Sequence, residues 1–121
     1  MACKALQDGK LSHWELGNEP DLFKTSSQGA IRPANWSEQD YVDEWLAKSR
    51  KIYDALAKAC PDMATEQNYT YLAPSFAGLT NGLDLVTTWK DGLNTDHNIA
   101  LNSVHELVVS SFLHLNYAHL N

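Results

Sequence analysis

The chain has 121 residues, with 15 acidic side chains against nine basic ones and a formal net charge of −6. That acidic surplus disfavours nucleic acid or an anionic membrane as the main partner. No apolar run reaches the roughly 18 residues that a spanning helix requires, so no membrane span is expected. The length suffices for one modest hydrophobic core.

Taken in chain order, Ala2 to Gln7 reads as the tail of a helix stopped by Gly9. Lys10 to Gly17 reads as a first strand, and the run Trp14-Glu15-Leu16-Gly17-Asn18-Glu19-Pro20-Asp21 marks its break into a loop. Gly17 is expected to let the backbone approach a neighbour closely. Pro20 has no N–H to donate, and it biases Glu19 toward an extended conformation. Asn18 and Glu19 then lie at the carboxyl end of a strand, an amide beside a carboxylic acid. Asp21 to Ala34 is a long loop rich in Ser, Gly and Pro, carrying Lys24 and Arg32, which read either as site-facing cations or as solvated loop charges. Ser37 reads as an N-cap with Asp40 three residues on, an imperfect capping box. Tyr41, Trp45, Ile52 and Leu56 recur at helical spacing and predict one amphipathic helix over Glu38–Ala59, ended by Cys60-Pro61, with its aromatic stripe packed on a sheet. Tyr69 to Gly78 is a second strand region, Gly82 to Leu93 a second helix, and Asn98 to His105 a third, buried parallel strand. This β-α-β-α-β order is an α/β signature.

The stretch Trp-Glu-Leu-Gly-Asn-Glu-Pro-Asp, followed by a Ser/Gln-rich loop and a Tyr-Val-Asp-Glu-Trp helix, resembles glycoside hydrolase family 79, the heparanase and β-glucuronidase group of clan A. The resemblance covers roughly Ala2 to His105. It implies a partial (β/α)₈ barrel, about strands four to six with their helices. It also implies a carbohydrate or glycoside substrate, no cofactor and no metal. Glu19 takes the place of the general acid/base and Asn18 that of the residue holding the sugar's 2-hydroxyl. Ala73-Pro74-Ser75-Phe76 fits the close of strand five. His105 takes the place of a residue at the end of strand six that reaches the sugar.

A retaining glycosidase needs two carboxyls about 5–5.5 Å apart, one an acid/base and one a nucleophile. The acid must remain protonated near working pH, which a partly apolar site provides. The clan's nucleophile is a second Glu at the end of strand seven, and no residue here takes that place. Glu15 lies four residues before Glu19 on the same strand and reads as a hydrogen-bonded interior carboxylate. Glu38 and Glu44 belong to a helix, Glu66 to a polar loop, and Glu106 to the part beyond the resemblance. The clan's Tyr behind the strand-six His is also missing: Glu106 and Leu107 follow His105, and no Tyr comes before Tyr117. A whole barrel takes about 250 residues. The expectation is therefore a barrel fragment over 1–105, with a non-matching tail over 106–121 that has the texture of a truncated gene product. On this reading the chain is a glycoside hydrolase by resemblance, inactive in isolation. The alternatives are a non-catalytic carbohydrate-binding remnant or a non-functional truncated product. His114 and His119, five residues apart, share neither a helix nor a strand face and do not read as a metal site.

Asn35-Trp36-Ser37 and Asn68-Tyr69-Thr70 are N-glycosylation sequons. They fit a secreted parent protein, although Met1-Ala2-Cys3-Lys4 opens no hydrophobic signal region. Cys3 and Cys60 both fall at helix ends, where they are either buried singly or paired with each other.

Overall fold

A computed structural model describes residues 1–25, 29–78 and 82–100 of the chain. Three parallel strands form one sheet in the order β1 (Trp14–Glu15), β2 (Tyr71–Ala73), β3 (Asn98–Ala100). Trp14 pairs with Tyr71, and Tyr71 in turn with Asn98. A helical segment lies between each pair of strands, as parallel pairing requires of its crossovers. The architecture is thus mixed helix and strand.

The first two strands are shorter than the sequence patterns predict. Lys10 to His13 stay outside the ladder, and β2 stops where Pro74 has no N–H to continue it. β3 is described over Asn98–Ala100; residues 101–105, which include His105, and the 106–121 tail lie outside the described residues.

The long helix α2 spans Glu38–Ala59, the predicted bounds. Its capping box is complete rather than imperfect: Ser37 Oγ accepts from the Asp40 N–H at 3.2 Å, and Asp40 accepts from the Ser37 N–H at 2.8 Å. The first helix, α1, spans Ala2–Gln7, with Gly9 at φ +66° behind it in the left-handed conformation glycine adopts readily. The expected second helix is broken. A short α3 (Leu85–Thr88), capped by Asp84, begins after Gly82 and widens into a π-turn over Trp89–Leu93.

The core lies between α2 and one face of the sheet. Trp45 packs edge-on against Tyr71 with ring centroids 5.2 Å apart, and the Tyr71 hydroxyl donates to the Ser49 carbonyl at 2.9 Å. Tyr41, Phe76, Leu83 and Leu93 belong to the same cluster, which makes Phe76 a core residue. A second, smaller cluster of Leu6, Leu56 and Cys60 joins α1 to the end of α2, and the Cys3–Cys60 disulfide closes it. On the other face of the sheet, Glu15 is exposed and Leu72 half-buried. No described element covers that face.

Candidate active site

The turn after β1 is built by residues 17–22. Gly17 sits at φ +87°, and a Cβ there would meet nothing within 4 Å, so its glycine serves a positive φ rather than a close approach. Asn18 is exposed and Glu19 half-buried. Glu19 departs from expectation: its φ of 49° and ψ of 51° are left-handed, not extended. A non-glycine residue pays about 1–2 kcal/mol for this conformation. The bias that Pro20 imposes is overridden by a neighbour far away in sequence.

That neighbour is the loop after β2. The Glu19 N–H donates to the Ser75 carbonyl at 2.9 Å. Two residues on, the wholly buried Asp21 carboxylate accepts from the Ala77 N–H at 2.8 Å and the Gly78 N–H at 3.1 Å. Pro20, also buried, opens a 3₁₀ turn over Pro20–Leu22 between the two attachment points. Glu19 is thus held in a strained conformation by hydrogen bonds on either side. Strain maintained by over-determined surroundings is a common property of functional sites. Nothing in the sequence marked Asp21 beyond its place in the motif, because its partners lie 56 and 57 residues away.

Next to this turn, Tyr41 is buried and its hydroxyl is pushed well above the usual tyrosine range, mainly by burial and further by the charge of Asp21. Tyr41 thus stays a neutral phenol under any ordinary condition.

The long loop to α2 is latched rather than solvated. Arg32 forms a bidentate pair with Glu44, Nε to Oε1 at 3.0 Å and Nη2 to Oε2 at 2.7 Å. Trp36 Nε1 adds a third bond to Glu44 at 3.0 Å, and the guanidinium lies over the Phe23 and Trp36 rings at 5.8 and 5.6 Å. Lys24 Nζ donates to the Trp36 carbonyl at 3.0 Å. Both cations of this loop are therefore engaged in holding it. The Arg32 bond keeps the Glu44 carboxyl below its ordinary value of 4.5. A depressed carboxylate contributes stability above its unfolded-state pKa and loses it as pH falls through the folded value. The Glu44→Gln variant should therefore be less stable than the parent at neutral pH, with the gap closing below about pH 4.5. Both side chains are about one-third exposed, so solvent screening limits the gap to about 0.5–1 kcal/mol. Thermal melts of both proteins from pH 7 to 3 check this.

A cavity of about 490 Å³, lined by Tyr53, Tyr69, Thr95 and His97 among others, lies by the amino ends of β2 and β3, not by the carboxyl end of β1 where Glu19 stands. Among the described residues no group of three or more His, Cys, Asp or Glu is placed to hold a metal, and no helix is long and apolar enough to cross a membrane. His105, His114 and His119 lie outside the described residues.

No protein-family model matches the chain, and no solved structure matches it. Two curated proteins named beta-glucuronidase do. The one from Aspergillus niger is 59% identical over 108 residues, and the one from Neurospora crassa 52% identical over 108 residues. In both cases the match takes in 89% of this chain and 19% of the relative. The chain is thus similar, along most of its own length, to about a fifth of each of two proteins named beta-glucuronidase.

Proposed function

We propose that this chain is a section of a retaining, glucuronidase-like β-glycosidase of glycoside hydrolase family 79, corresponding to strands four to six of a (β/α)₈ barrel. The observation that carries the reading is the 59% identity to the Aspergillus niger protein over 108 residues. Three parallel strands joined by helical crossovers fit a barrel section, and the exposed face bearing Glu15 fits its interior.

In this reading Glu19 is the general acid/base. It protonates the leaving oxygen as the glycosidic bond breaks, then takes a proton from the water that releases the sugar. Asn18 holds the 2-hydroxyl, a bond that strengthens in the transition state and so contributes to rate. His105 is a further sugar contact. Among the described residues, Asp21 is buried in backbone bonds, Glu44 is tied to Arg32, and Glu15, in β1, lies four residues before Glu19, so in this reading the nucleophile comes from another part of the parent protein. The isolated chain accordingly binds a glycoside at best and does not turn it over. The disulfide fits a parent protein that is secreted through an oxidising compartment.

Segment exchange tests the reading. With this chain's 108 matching residues replacing their counterpart in the Aspergillus niger protein, the chimera should hydrolyse an aryl β-glucuronide. Glu19→Gln in that chimera should lower kcat by about 10²–10⁴-fold. An active chimera indifferent to Glu19→Gln would remove Glu19 from the mechanism.

A further inference from the structure

The two sequons are not equivalent in the folded chain. By pattern alone the two are alike, and the structure separates them. Asn68 is half-buried, and its Nδ2, the atom that would carry a sugar, points at the Met63 thioether at 3.9 Å. Met63 packs on the cluster of Leu6, Leu56 and Cys60, and the Asn68 carbonyl accepts the Trp14 indole N–H at 3.2 Å. Tyr69 is interlocked with Tyr53, Tyr71 and His97, at ring-centroid separations of 4.6–5.1 Å. A glycan at Asn68 would have to pull this loop off the core.

Asn35 is the opposite case. It is exposed, on the outer bend of the loop between β1 and α2, and its side chain has no hydrogen bond among the described residues. It borders an open groove lined by Pro33, Trp36, Asp40 and Asp43, in which the two exposed carboxylates offer acceptors to a first sugar ring. The backbone beneath is anchored by the buried Trp36 and the Ser37 cap, so a glycan there disturbs no packing.

We propose that Asn35 is an N-glycosylation site of the folded protein and that Asn68 is not. The donor is a lipid-diphosphate-linked oligosaccharide headed by N-acetylglucosamine. The bond from its C1 to the diphosphate oxygen breaks, the Asn35 Nδ2–C1 bond forms, and the amide proton leaves with the lipid diphosphate, with no change of oxidation state. Transfer precedes folding, so chains modified at Asn68 are those that fail to fold, and the folded fraction carries sugar at Asn35. The inference rests on passage through an oxidising secretory lumen, which the disulfide supports, and not on the glycosidase reading.

The test is to secrete the chain behind a cleavable leader, collect the monomeric fraction with Cys3–Cys60 closed, and release N-glycans enzymatically in heavy-oxygen water before peptide mass spectrometry. Heavy aspartate at position 35 and unmodified Asn68 is the expected result. Asn35→Gln should abolish the glycan shift, and Asn68→Gln should leave it. Ser37→Thr keeps both the cap and the sequon and should raise occupancy. Heavy aspartate at 68 in the folded fraction overturns the proposal. So does a disulfide-closed chain unmodified at position 35 in both the parent and the Ser37→Thr variant.

Discussion

Replacing Asp21 by alanine should destabilise the chain by about 2–4 kcal/mol, because the Ala77 and Gly78 N–H groups lose their acceptor. For a domain of this size that lowers Tm by roughly 10 °C. The loss should also be local. With the carboxylate gone, the turn loses one of its attachments to the loop after β2, and relaxing the left-handed backbone of Glu19 gains about 1–2 kcal/mol. The Glu19 amide should then shift in NMR spectra and exchange its hydrogen far faster, while Tyr71 in β2 stays protected under native conditions. Asp21→Asn keeps one acceptor but turns an NH₂ toward a second N–H, so it should fall between the parent and Asp21→Ala. A Tm unchanged in Asp21→Ala, with an unmoved Glu19 amide, would show that the loop after β2 does not hold Glu19.

Opening the Cys3–Cys60 disulfide should cost about 4 kcal/mol, since the bridge closes a loop of 57 residues in the unfolded chain. Total stabilities of small domains are only about 5–15 kcal/mol. The reduced chain should therefore be close to unfolding at 37 °C, and the first region lost should be the α1–α2 junction around Leu6 and Leu56. Denaturant midpoints with and without reductant measure this. The parent should drop sharply on reduction, and a Cys3→Ala/Cys60→Ala double variant should match the reduced parent and ignore reductant. Coincident midpoints for oxidised and reduced parent would mean that the two packed clusters hold the junction unaided.

Glu38–Ala59 was legible to the residue because everything that bounds it is local. The Ser37–Asp40 cap spans one turn, Cys60-Pro61 stops the helix, and the apolar stripe repeats within it. The stripe also told which face meets the sheet, as Trp45 on Tyr71 shows. The second helix was read too long because its apolar spacing is helical throughout, whereas Gly92 at φ 135° ends the regular run. The lengths of the first two strands were overread for a related reason: an apolar run says where a strand can form, but a ladder exists only where a partner strand lies alongside.

By itself the sequence determined the order of elements, the long helix with both of its ends, and the motif that puts Asn18 and Glu19 behind the first strand. These depend on interactions within a few residues, or on a period that one element carries alone. Only the tertiary structure decided the left-handed backbone of Glu19, the burial of Asp21, the latching of Arg32 by Glu44, and the joining of Cys3 to Cys60. Each of these pairs groups from 12 to 57 residues apart or is imposed by such a pair. A local preference of about a kilocalorie, such as the extended bias before Pro20, gives way when several hydrogen bonds across that distance favour another conformation.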